Sequence, residues 1–147
     1  MATGADGRAH RIVVGVDGSP GSLAALDWAA GLAEATSAGV EAITAWAWPT
    51  GYGAAVFFPS DYDPAADAED VAVRAVDAVA AAHPGAMIVP LVVEGHPAPV
   101  LIEASRGADL LAVGSRGHGE FAALVLGSVS EHCAAHAHSP VLVVRDA

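Results

Sequence analysis

The run Gly114-Ser115-Arg116-Gly117, nine further residues, and then Gly127-Ser128 is the constellation in this 147-residue chain whose residue types most directly suggest chemistry. Its spacing is G-x2-G-x9-G-S. Glycine has no Cβ, so backbone N–H groups at such positions can converge on an anion. If Gly127 and Ser128 open a helix, the unpaired N–H groups of its first turn sit at the positive end of the helix dipole and can hold phosphate oxygens. Ser128 adds a hydroxyl donor and Ser130 a second. The chain has no lysine; its six basic residues are Arg8, Arg11, Arg74, Arg106, Arg116 and Arg145. A Walker-type phosphate lysine and a Schiff-base lysine are therefore excluded. Neutralisation of an anion falls to amides, to Arg116 and to a divalent cation. The same glycines could instead serve tight turns alone, and spacing does not separate the two readings.

Asp17, in Val16-Asp17-Gly18-Ser19, is the second candidate. A carboxylate there can accept from ribose hydroxyls or an adenine amine, or it can cap the turn that follows. His132, Cys133 and His136 share a predicted helix, and the histidines are spaced i,i+4, with His138 close by. That spacing can grip zinc, but a helix face meeting solvent or a partner explains it more simply, and no metal ligands are assigned. Six of the eight aromatics fall between Trp46 and Tyr62, among them Trp48, Tyr52, Phe57 and Phe58. They read either as a lid over a ring or as packing against the protein or a second subunit. The acids form no hydrolytic pair, and neither a Ser-His-Asp nor a G-x-S-x-G pattern falls at a strand end, so no catalytic residue is assigned.

These residues need elements to position them. Ile12 to Val16 is a β-branched run without polar alternation, the pattern of a strand covered on both faces. Ser19 followed by Pro20 is a helix start, with Leu23, Leu26, Ala30 and Ala33 at helical spacing and Gly39 after its end. Val40 to Trp46 reads as a strand, and Asp63-Pro64 opens a second helix with Val71, Ala75, Ala78 and Ala82 on one face. Ile88 to Val93, Leu110 to Val113 and Val141 to Val144 read as strands, with helices over Pro97 to Arg106 and Ser128 to Ala137. The alternation βαβαβαβαβ implies an α/β fold: a three-layer, doubly wound, Rossmann-like sheet of five parallel strands in the order 3-2-1-4-5. Strands one and four then meet at the switch point, where ligands bind beyond the carboxyl ends. Asp17 and the glycine run follow those two strands.

Apolar residues make up 54% of the chain and charged ones 16%, enough to bury a core and to exclude disorder as its general state. Residues 1–9 read as a flexible tail and 10–147 as one domain. The net charge of −11 repels nucleic acid and anionic membrane surfaces, which excludes both as partners. One cysteine, Cys133, permits no internal disulfide, and no apolar run reaches a membrane helix's length; a cytoplasmic protein is expected. An apolar final strand, Val141 to Val144, invites edge pairing in a homodimer.

The G-x2-G-x9-G-S spacing, the segment Ile12 to Ser19, Thr44-Ala45-Trp46 and the ending Ser139-Pro140-Val141-Leu142-Val143-Val144 together resemble the universal stress protein family, in its ATP-binding branch. The resemblance runs from about Arg11 to Arg145 and implies an adenine-nucleotide-binding domain, usually homodimeric, with stress-linked regulatory roles. It places Asp17 on ribose or adenine beside Gly15 and Val16, and brings the Ala45 backbone to adenine. Val113, Gly114 and Gly117 would line ribose and phosphates, near Arg116, and Gly127, Ser128, Val129 and Ser130 would bind phosphate. The implied cofactor is ATP or another adenine nucleotide, with Mg²⁺ or Mn²⁺. A slow ATP hydrolase that resets itself, and a dimeric scaffold without nucleotide, are the competing readings.

Overall fold

The computed structural model describes residues 10–48, 60–116 and 126–145. The expected tail at residues 1–9 lies outside the described residues, as do Gly117, Tyr52, Phe57 and Phe58. The elements are β1 (Arg11–Gly15), α1 (Pro20–Thr36), β2 (Gly39–Trp46), α2 (Pro64–Ala80), β3 (Met87–Glu94), α3 (Pro97–Ala104), β4 (Leu110–Gly114), α4 (Ser128–His136) and β5 (Val141–Val144). All strand pairs are parallel and the order is β3-β2-β1-β4-β5, the doubly wound arrangement that the alternation of elements implies.

Caps set the helix ends. The Ser19 hydroxyl accepts from the Ser22 N–H at 3.2 Å with Pro20 in the first helical position, and the Asp63 carboxylate accepts from the Ala66 N–H at 3.1 Å ahead of Pro64. The end of α1 departs from expectation. Ser37, not Gly39, takes the left-handed conformation (φ 61°), its N–H donating to the Ala33 carbonyl at 2.7 Å, and Gly39 is already the first residue of β2. α3 also stops earlier than expected, at Ala104, and Gly107 (φ 72°) turns the chain toward β4.

Side-chain parity splits the core in two. Ile12, Val14, Val40, Ala42 and Ala112 face α1 and α2, meeting Leu26, Ala29, Ala30, Ala33, Ala75 and Val79. Val13, Ile43, Leu111 and Val113 face the other way, against Leu101 of α3 and Cys133 of α4. The buried stripe of α2 is Ala68, Ala72, Ala75 and Val79; Ala78 and Ala82, expected on it, are exposed. α3 spans only eight residues and α4 nine, so this second layer is thin. On edge strand β3, Met87 and Val89 are accordingly 55% and 46% exposed. No described helix is long and apolar enough to cross a membrane.

Candidate functional site

A cavity of about 260 Å³ opens where β1 and β4 end side by side. Its wall contains Gly15, Val16, Asp17, Ala45, Val113, Gly114, Arg116, Gly127, Ser128, Val129 and Ser130. Eleven of the twelve residues expected at a nucleotide site therefore meet around one space, and the twelfth, Gly117, lies outside the described residues. Five more residues line it that the sequence reading missed: Ser19, Ser22, Ile43, Pro97 and Leu101. Ile43 belongs to β2, Ser19 and Ser22 to the cap and first turn of α1, and Pro97 and Leu101 to α3, so the rule that ligands gather at the carboxyl end of the sheet could have found them.

The first strand's turn holds Asp17 firmly. One carboxylate oxygen accepts from the Ser19 N–H at 2.9 Å and from the Ser19 hydroxyl at 2.5 Å, while the Asp17 N–H donates to the Ser22 hydroxyl at 3.3 Å. Asp17 thus organises the turn into α1 and also stands at the cavity, so the capping and ligand readings are compatible.

Gly114 has a packing reason beside the one its spacing suggested. A Cβ there would lie 2.6 Å from the Gly21 carbonyl carbon, 2.8 Å from its oxygen and 2.9 Å from the Ser22 nitrogen. The first turn of α1 crosses directly over the end of β4, and only a residue without a side chain fits beneath it. Gly21 reciprocates: its Cβ would meet the Arg116 carbonyl oxygen at 2.8 Å. Close helix–strand approach accounts for glycine at 114, and that approach brings Ser22 and Arg116 to the same wall.

The start of α4 faces the cavity without a side-chain cap. Gly127 is the cap residue, in extended conformation (φ −67°, ψ 163°), and no side chain accepts from the first turn. Such a turn leaves amide donors directed out of the helix end. The Gly127 N–H is not among them, because it donates to the Ser115 carbonyl at 2.7 Å. The second expected hydroxyl donor, Ser130, is tied to the main chain. Its hydroxyl lies 3.0 Å from each of the Ser115 and Gly127 carbonyls, so its one proton is already engaged.

The remaining candidates disperse. Cys133 is buried, its thiol pushed up to about 11 by that burial, whereas His132 and His136 are exposed with ring centroids 6.4 Å apart. Among the described residues no group of three or more His, Cys, Asp or Glu is placed to hold a metal ion. Trp48 stacks edge-on to Trp46, the last residue of β2, with ring centroids 6.2 Å apart, and lies 5.8 Å from Tyr62; none of the three is in the cavity wall described above.

Comparison with known proteins identifies the family. The model of the universal stress protein family matches residues 8–145. The universal stress protein Rv2624c of Mycobacterium tuberculosis is 39% identical over 136 residues, covering 91% of this chain and 47% of that protein. Rv2623 of the same organism is 33% identical over 141 residues, covering 92% and 45%. The chain thus spans about half the length of these curated relatives. Among solved structures, a universal stress protein in complex with cAMP is 32% identical with a TM-score of 0.70, covering 95% of this chain and 98% of that one. UspA of Lactobacillus plantarum shares the fold at a TM-score of 0.69 and 21% identity, over 94% and 99% of the two chains. With nearly its whole length matched, this chain belongs to the universal stress protein family.

Proposed function

We propose that this chain is a regulatory module of the stress response that binds an adenine nucleotide, ATP with Mg²⁺ or Mn²⁺ foremost, in the cytoplasm. One observation carries the reading: the uncapped first turn of α4 opens onto the same cavity as Asp17 and Ala45. A phosphate chain needs donors at a helix start, and a nucleoside needs an acceptor and a flat apolar wall; Asp17 and the residues Ile43, Ala45, Leu101 and Val113 supply these. The relative that holds cAMP supports an adenine nucleotide as the ligand class. Arg116 is the cavity's cationic residue, and the G-x2-G-x9-G-S motif, including Gly117, leaves charge neutralisation to amides and a divalent cation. Occupancy orders the loop between Gly114 and Ser128, and the ordered state recruits a partner that the open state does not. The module works as a homodimer joined through β5.

Calorimetric titration with ATP–Mg²⁺, ADP, AMP, cAMP and adenosine tests the reading. The expected result is saturable binding of the phosphorylated ligands, with an apparent stabilisation of about 2.7 kcal/mol when free nucleotide reaches roughly 100 times its dissociation constant. Absence of both heat and thermal shift for every nucleotide would overturn it.

A further inference from the structure

Ser115 and Ser130 form a knot between the end of β4 and the start of α4. The Ser115 carbonyl accepts twice, from the Gly127 N–H at 2.7 Å and from the Ser130 hydroxyl at 3.0 Å. The Ser115 N–H meanwhile donates to the Val144 carbonyl of β5 at 2.8 Å. Ser130 also reaches the Gly127 carbonyl at 3.0 Å, one turn back on its own helix. The residue that follows β4 and the start of α4 are therefore joined at the Ser115 carbonyl. Both serines are buried, at 5% and 2% exposure, so these bonds are shielded from competing water.

We propose that Ser130 is a positioning residue rather than a phosphate ligand, and that its hydroxyl sets the place and direction of the α4 amides that receive phosphate. This rests on the nucleotide-binding reading above. The chemistry of the hydroxyl decides its role. One O–H proton shared between two carbonyls leaves only lone pairs facing outward, and lone pairs repel a phosphate oxygen. The hydroxyl and the Gly127 N–H instead hold the uncapped helix start against the end of β4 before any ligand arrives, so that its amides need no rearrangement on binding. Losing that tie frees the helix start to shift, and phosphate affinity falls without loss of any direct contact.

The experiment compares Ser130→Ala, Ser130→Thr and wild type in the full chain, with two readouts. In ligand-free protein, amide exchange of Gly127 should accelerate roughly three- to tenfold in Ser130→Ala and return toward wild type in Ser130→Thr. Affinity for AMP and ATP should drop by a similar factor in Ser130→Ala, while adenosine, which has no phosphate, binds within about twofold of wild type. A direct donor to phosphate would lower AMP affinity but leave the ligand-free Gly127 amide unchanged, and that pattern overturns the proposal. Unchanged AMP affinity in Ser130→Ala also overturns it. If Ser130→Ala does not fold, Ser130→Cys, of similar shape with a weaker donor, should show the same two effects in smaller measure. Should wild type bind no nucleotide at all, the functional reading fails, whereas the exchange of Gly127 still reports on the knot.

Discussion

At the scale of single residues, the site depends on which atoms stand where a side chain would go. Gly114 and Gly15 make the contrast. A Cβ on Gly114 meets the main chain of Gly21 and Ser22, which cannot turn aside, whereas a Cβ on Gly15 meets the Cδ1 of Leu101 at 2.6 Å, the end of a side chain with other rotamers. Gly114→Ala is therefore expected to cost about 1–3 kcal/mol, with the start of α1 pushed off the sheet, and Gly15→Ala distinctly less. Urea denaturation of both variants at constant m-value checks the order; an equal or reversed ranking would show that α1 yields more easily than its packing indicates. Much of the site was legible in advance because strand ends, turn glycines and cap residues announce themselves by type. Asp17, Gly127 and Ser128 belong to that class. The duty of Ser130 was not legible, since a serine two places after a helix opens looks like an exposed donor until the carbonyl it serves, 15 residues back at Ser115, is located. Leu101 and Pro97 were missed for a similar reason: they reach the cavity through the packing of α3 on β1 and β2.

Among elements, α1 is tied to the corner between α2 and β3 by one imidazole. His83 places Nδ1 2.6 Å from Glu34 and Nε2 2.7 Å from Asp27, with Glu34 also accepting from the Gly85 N–H at 3.2 Å. Both ring nitrogens face carboxylates, which suits the imidazolium, and both carboxylates come from α1; α2 and β3 add none of the charges that act on the ring. The hydrogen bond to Glu34, then that to Asp27, raises the His83 pKa above its ordinary 6.5. The hydrogen bond from His83 likewise lowers the Glu34 pKa below its ordinary 4.5. The signs then follow from linkage. A raised histidine contributes stability that is complete below pH 6.5 and fades as pH climbs through its higher folded value. A depressed glutamate contributes stability that is complete above pH 4.5 and fades as pH falls through its lower folded value. The tie is strongest between those limits. The melting temperature of His83→Gln relative to wild type should therefore be lowered most near pH 5.5 and least near pH 9; a gap that stays constant across that range would deny the imidazolium its part. Element order was legible because caps and β-branched runs are local signals. The buried stripe of α2 was not: in an alanine-rich helix several stripes look equally apolar, and the sheet selects Ala72 and Val79 over Ala78 and Ala82.

At the scale of the whole molecule, the sheet formed by the described residues has two edges, β3 and β5, and they are not equivalent. The Gly95 N–H donates to the Trp46 carbonyl, so in the parallel register of Trp46 with Glu94 the odd-numbered residues of β3 point their main chain toward β2. Residues 88, 90 and 92 then face outward, and the middle one is Pro90, which has no N–H to give. At the other side, Leu111 and Ser115 donate to the Pro140 and Val144 carbonyls, so Val141 and Val143 turn their main-chain groups outward. The β3 edge is blunted at its centre and the β5 edge keeps its donors, which favours β5 as the strand that pairs with a second copy. A two-fold axis lets the same strand serve both partners in an antiparallel pair. Each copy brings a net charge of −11, so association should strengthen as salt screens the repulsion. Val143→Pro is the discriminating variant: it removes a donor directed at the partner while the bonds from β4 to Pro140 and Val144 remain. Sedimentation at micromolar concentration should show a dimer for wild type, more so at high salt, and a monomer for Val143→Pro with little change in secondary structure. A wild-type monomer, or a Val143→Pro variant that still dimerises, would exclude pairing through β5.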